Sequence, residues 1–462
     1  MGNGEMKLNR YPKYKPTGIA WLPELPEGWE VVRLKNVLRE RVEKSSTGLE
    51  EPLSMSQKRG IVPTREMDVV PNAASSYVGA KKVYVNDIVF NKLKAHLGVF
   101  AISAYDGLVS PDYAVYTSRG LISRKYLEYL FHTPLYITEF RRKSTGIAIG
   151  LTRLYTKDLY SIYGVCPPTG VQRAIVAFLD EKCGKIDRWV AAKEREMALL
   201  KELKQAMIAE AVTRGVRAIS RVEVEKWRKS GLPGSGAEPQ IYTSTPLHGS
   251  NPRPLVPSGI PWLPEVPEGW EVKRLKGLFS LRRESYSPNE QLQVLSLIKD
   301  VGVIPYEEKG QLGNKSKEDI SGYNVARKGD IVMNSMNVII GSVDITPFDG
   351  YISPAYYALT ARQGVETKYF NYLFHLTLVQ KMMRSLAKGI LEIRLRISIT
   401  SLLGMSFPLP PLAEQRAIVA YIEARAAKID AAVAGLEREV AAMKEYKQRL
   451  IADVVTGQRK VA

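Results

Sequence analysis

Lys92, Lys94 and His96 follow one stretch of the sequence at the place where Ser335, Asn337 and Ile339 follow a matching stretch. Lys58 and Arg59 stand against Lys299 and Asp300 in the same manner, and Arg153 stands opposite a segment that holds Arg394 and Arg396. Ammonium, guanidinium and amide groups placed in loops bind anions and hydrogen-bonding edges; they do not by themselves break bonds. The groupings that would break bonds are missing. No GxxxxGK[ST] phosphate loop occurs, which argues against an ATPase or helicase, and no NPPY-type tetrapeptide of an amino-methyltransferase is present. Asp112, Asp180 and Lys182 could be forced into a nuclease cluster, but Ala355 stands where Asp112 should recur. Cys166 and Cys183 have no CxxC or metal-ligand spacing, and His132 and His375, repeated in YLFH, read as satisfied core residues.

The balance of the chain asks for an anionic partner. Its net charge is +18 over 462 residues, and nucleic acid is the first candidate for such a surface. No run of apolar residues is long enough to span a bilayer, and the opening MGNGEMKLNRYPKYKP lacks the apolar core of a signal peptide, so a cytoplasmic location with no membrane partner is expected.

The elements that must position these side chains are duplicated. GIAWLPELPEGWEVVRLKNVL, from Gly18, returns as GIPWLPEVPEGWEVKRLKGLF, from Gly259. Its prolines and the indoles of Trp21, Trp29, Trp262 and Trp270 read as a tether packed on a domain. LSMSQKRGIVP and LSLIKDVGVIP each read as two short strands about a polar turn. The DG pairs at Asp106-Gly107 and Asp349-Gly350 predict hairpins. The strands agree between copies while the loops differ, which suggests one task performed on two different targets.

Two long amphipathic helices complete the repeat, one from Thr169 and one from Leu412. Their apolar residues alternate steps of three and four, the seam of a coiled coil, marked by Ile186, Val190 and Leu200 in the first and by Ile429, Val433, Leu436 and Met443 in the second. Each helix should run roughly 65 Å at 1.5 Å per residue. Lys204 and Lys447 share a seam position, as a register-setting polar residue or as a lysine snorkelling to solvent. Thr169 and Gln172 form a possible capping box, whereas Leu412 offers no cap oxygen and predicts a looser start. The expected fold is α+β: two mixed α/β domains separated by two long antiparallel helices that form an intramolecular coiled coil. The expected divisions are 1–168, helix 169–215, linker 216–258, 259–411 and helix 412–462.

The repeated WLPE-x-PEGWE phrase, the DIV-N strand and the PP-x-x-x-QRAIVA-[FY] helix start, all present twice, resemble the specificity subunit of type I restriction-modification systems, HsdS. The resemblance covers nearly the whole chain. It implies two target recognition domains, each binding one half of an asymmetric bipartite site in double-stranded DNA, with the helices setting the spacer. It also implies a chain without catalytic activity, whose partners are two adenine-methyltransferase (M) subunits, docked on the outer helix faces, and restriction/translocase (R) subunits. S-adenosylmethionine, ATP and Mg are then expected in those partners, with no cofactor or metal in this chain. DNA contacts are expected from Lys58, Arg59, Lys92, Lys94, Arg141, Arg142, Lys143 and Arg153 in the first domain. The second should use Lys299, Asn337, Arg384, Lys388, Arg394 and Arg396. A DNA-binding scaffold or regulator without methyltransferase partners is the alternative.

Overall fold

The computed structural model describes residues 10–56, 59–67, 76–148, 151–216, 253–310, 319–337, 340–388 and 395–461. The chain forms two compact units, Met1–Arg195 with Leu436–Ala462, and Glu196–Gly435. The two long helices, Thr169–Arg214 and Leu412–Val455, are each divided between the units. These units therefore cut the chain within the helices, away from the ends of the globular segments.

In the first unit a Pro-containing hairpin, Tyr14–Ile19 with Leu22–Pro26, leads to the strand Glu30–Arg33, which pairs with Tyr163–Cys166. An antiparallel sheet follows in the order Leu38–Glu40, Tyr113–Ser118, Ile88–Asn91, Phe100–Ile102. The β-branched and aromatic residues of these strands alternate between two sides. One side, with Phe90 and Phe100, packs on Phe131 and Phe140 from the helices Arg124–Phe131 and Pro134–Lys143. The other side, with Val89 and Val115, joins Leu53, Ile61 and Val109 in a smaller core.

The second unit repeats this plan. Its sheet runs Phe279–Leu281, Tyr356–Ala361, Ile331–Asn334, Val343–Ile345, and a second four-stranded sheet includes the hairpin Gln293–Ile298 with Gly302–Pro305. Trp29 and Trp270 are buried in the two cores, consistent with a structural tether. Trp21 meets Tyr136 edge-on at 5.3 Å between centroids.

Three local expectations need correction. The DG pairs are not hairpin turns: Gly107–Val109 pairs with the remote strand Lys81–Val83, while Phe100–Ile102 pairs with Ile88–Asn91. Asp106 Oδ1 instead accepts the Val85 N–H at 2.7 Å, and Asp349 Oδ1 accepts the Lys328 N–H at 2.7 Å. Glycine is needed because a Cβ at Gly107 would stand 2.3 Å from the Glu51 carbonyl oxygen, and one at Gly350 would stand 2.6 Å from that of Gln293.

Neither His132 nor His375 is a core residue; each is exposed at a helix end, its Nδ1 2.7 or 2.8 Å from the carbonyl oxygen four residues back. Among the described residues no cluster of His, Cys, Asp or Glu could hold a metal ion.

The capping box does not form, because Pro168 precedes the first helix and has no N–H to donate back. Gln172 turns into the domain: its Nε2 donates to the carbonyls of Pro167 (2.8 Å) and Leu121 (3.2 Å), and its Oε1 accepts the Ser123 N–H (2.8 Å). Gln415 does the same with Pro410 (2.8 Å), Gly364 (3.1 Å) and Glu366 (2.8 Å), so the second helix starts as firmly as the first.

Candidate nucleic-acid interface

The far end of each long helix completes the core of a unit. Met207, Ile208, Ala211 and Val212 are buried in the second unit, and Leu450, Val454 and Val455 in the first. The last carbonyls of a helix lack intrahelical partners. Tyr369 Oη donates to the Val212 carbonyl at 2.8 Å, and Tyr126 Oη to the Val455 carbonyl at 2.6 Å. Tyr126 and Tyr369, like Val212 and Val455, stand the same 243 residues apart as Gln172 and Gln415. Tyr369→Phe leaves the buried Val212 carbonyl unpaired and should destabilise the second unit by about 1–2 kcal/mol. Thermal melting and hydrogen exchange in residues 207–214 would read it; unchanged exchange there would show that the bond contributes nothing.

The helices run antiparallel within each unit. In the first, Lys447 Nζ meets Asp187 at 2.6 Å and Lys444 Nζ meets Glu194 at 2.8 Å. In the second, Lys204 Nζ meets Asp430 at 2.6 Å. The seam residues Val190, Ile429, Val433 and Leu436 are buried, and Ile186, Leu200 and Met443 are half-buried. Both seam lysines thus reach across to an aspartate of the opposite helix, and the two bonds map onto each other through the repeat.

Lys92 and Arg153, distant in sequence, come together around the Pro111-Asp112 turn. Lys92 Nζ donates to the Pro111 carbonyl at 3.0 Å, and Arg153 Nη2 to Asp112 Oδ1 at 2.6 Å. The Leu154 N–H donates to the Lys92 carbonyl at 3.0 Å, which binds the two segments. Lys81, absent from the sequence expectation, joins them: its Nζ donates to the Tyr113 carbonyl at 3.0 Å and lies 3.6 Å from Glu40. Burial, and then the neighbouring Lys81 and Arg153 charges, hold the Lys92 ammonium below the usual lysine pKa. Its place within a strand hid Lys81; the only signal was Lys81 standing where the other copy has Asn324.

In the second unit Arg396 occupies the place of Arg153, and its Nε donates to the buried Ser335 hydroxyl at 3.0 Å. Lys388 and Arg396 exchange both backbone bonds at 3.0 Å. Arg141, Arg142 and Lys143 form the last turn of the helix Pro134–Lys143, where Arg142 is held by Glu139 at 2.6 and 2.8 Å. Arg59 lies apart from these, beside the tip of its hairpin, and donates to the Glu66 carbonyl. Lys94, Lys299, Asn337 and Arg384 are exposed. Lys58 and Arg394 lie outside the described residues.

Comparison with known proteins bears on what this arrangement is. Residues 267–438 match the family model of the type I restriction modification DNA specificity domain, which spans most of the second globular segment and the first part of the second long helix. A curated protein of Methanocaldococcus jannaschii, named as a type I restriction enzyme MjaX specificity subunit, is 19% identical over 99% of each chain.

The chain is similar to the type I specificity subunits over nearly its whole length. A solved structure described under complex assembly and conformational transition of the type I R-M system shares the fold, with a TM-score of 0.63 and 18% identity over 93% of this chain and 98% of that one. The HsdS subunit from Thermoanaerobacter tengcongensis superposes with a TM-score of 0.46 at 18% identity, over 94% of this chain and 98% of that one. As that likeness leads one to expect, the chain is a mixed helix-and-sheet protein with an internal duplication. Among its described residues no helix is long and apolar enough to cross a membrane.

Proposed function

We propose that this chain is a specificity subunit, which selects the DNA target of a type I restriction-modification complex. Each globular segment binds one half of an asymmetric bipartite site in double-stranded DNA, and the long helices set the spacer between halves. The observation that carries this reading is the exact recurrence of the docking bonds. Tyr126 with Val455 and Tyr369 with Val212 build one unit twice, while the polar side chains at matching loop positions differ. One scaffold carrying two unlike sets of donors suits a target whose halves differ in sequence.

The chain is non-catalytic in this reading. Two adenine-methyltransferase subunits dock on the outer faces of the helices, restriction/translocase subunits join them in the cytoplasm, and S-adenosylmethionine, ATP and Mg act in those partners. Comparing the adenine methylomes of cells with and without this gene tests the assignment. A split adenine-methylated motif should disappear on deletion and return on complementation. Persistence of every split motif in cells that express the system overturns the assignment, and DNA binding without any lost motif favours a scaffold lacking methyltransferase partners.

A further inference from the structure

Lys81, Lys92 and Arg153 gather in the first unit with Asp112 and Glu40 as their counter-charges among the described residues, which leaves one positive charge over. The three cations come from separate parts of the chain: a strand, the turn after a strand, and the end of the hairpin Thr145–Ala148 with Leu151–Arg153. The lysine and arginine side chains paired to these carboxylates are only 14% and 25% exposed, so water screens their mutual repulsion poorly. Burial first, and then the Lys81 and Arg153 charges, lower the pKa of the Lys92 ammonium, in keeping with that crowding. Cations held together in this way are relieved by a bound anion.

We propose that Lys81, Lys92 and Arg153 form a notch for one backbone phosphodiester of the bound duplex. The inference rests on the DNA-binding reading above. Phosphate fits better than a base edge because of how the donors are already used. Arg153 commits Nη2 to Asp112, and its Nε is buried, so the side-on Nε/Nη2 pair of its fork is not open to a guanine edge. Lys92 spends one donor on the Pro111 carbonyl and acts as a point charge, the usual lysine contact with phosphate. The corresponding place in the second unit holds Asn324, Ser335 and Ala355, and Arg396 there is bonded to Ser335. The notch therefore belongs to the first recognition domain, and the two half-sites differ in phosphate contact as well as in base reading.

The test is a salt titration of the full-length chain against a mixed-sequence duplex oligonucleotide, followed by fluorescence anisotropy. Losing one phosphate contact should make the slope of log K against log salt shallower by about 0.9. Lys92→Gln and Lys81→Gln should each show this change, Lys92→Arg should keep the wild-type slope, and Lys13→Gln, on a side chain 76% exposed, should also keep it. A wild-type chain that does not bind duplex overturns the DNA-binding reading and the notch with it. Wild-type binding with unchanged slopes in both glutamine variants overturns the notch alone. A changed base in the methylated motif of Lys92→Gln cells also overturns it, because a phosphate contact carries no sequence information.

Discussion

Gln415→Ala should lower the stability of the second unit by roughly 2–5 kcal/mol, because it removes all three hydrogen bonds of one buried amide at once. The side chain is fully buried, and it joins the carbonyls of Pro410 and Gly364 to the N–H of Glu366. These partners lie on both sides of the first turn of the second long helix, so the amide fixes the direction in which that helix leaves the domain. Alanine returns none of the three bonds and leaves a void, and a buried donor or acceptor without a partner loses its full hydration. Hydrogen exchange at the Glu366 amide should accelerate, and the melting temperature should fall. Gln172→Ala should act likewise in the first unit, where the Ser123 amide reports the loss. An unprotected Glu366 amide in the wild type would sink this account of the helix start.

Asp330→Ala should be about as costly, at roughly 3–5 kcal/mol, because it removes the buried partner of a largely buried cation and leaves Arg282 only the exposed Glu284. Asp330 is 2% exposed and accepts from Arg282 through both oxygens, from the Arg327 N–H at 2.9 Å and from Thr360 Oγ1 at 2.9 Å. Its counterpart Asp87 accepts from Arg41 at 2.8 and 3.2 Å and from the Tyr84 N–H at 2.9 Å. For a unit of this size each kcal/mol moves the melting temperature by about 2–4 °C, so a drop of roughly 6–20 °C is expected. Arg282→Met added to Asp330→Ala should recover part of the drop, since the charge that lost its buried partner is then gone. If the double variant melts no higher than the single one, the cost lies in the lost backbone and threonine bonds and not in the arginine deprived of its buried partner.

Much of this architecture was legible in the residues. Alternating strands around LSMSQKRGIVP and the three-and-four spacing of the helices are local signals, and the structure has the strands and helices where those signals fall. Where a short motif misled, a distant partner had outbid the local one. Asp106 reads as the first residue of a turn, yet its carboxylate is spent on the Val85 amide. Gln172 reads as a cap for its own helix, yet the proline before that helix offers no donor, and the amide turns to Leu121 and Ser123. His132 reads as core from the apolar pattern of its helix, yet it follows the last helical residue and stays exposed, with its ring against Phe100.

The candidate site divides along the same line. Matching the two halves singled out Lys92, Arg153 and Arg396 by their loop positions, but could not show that Arg153 is tied to Asp112 while Arg396 is tied to Ser335. Lys81 escaped notice because nothing in its neighbours distinguishes a strand lysine that borders a cationic cluster from one that is merely solvated. By itself the sequence determined the duplication, the helix seams, the basic character and the family resemblance, since each is written in residue type and short-range spacing. Only the tertiary structure decided which helix end closes which core, which aspartate each seam lysine meets, and which three cations share one notch. Those outcomes depend on contacts between residues far apart in the chain, and periodicity carries no information about them.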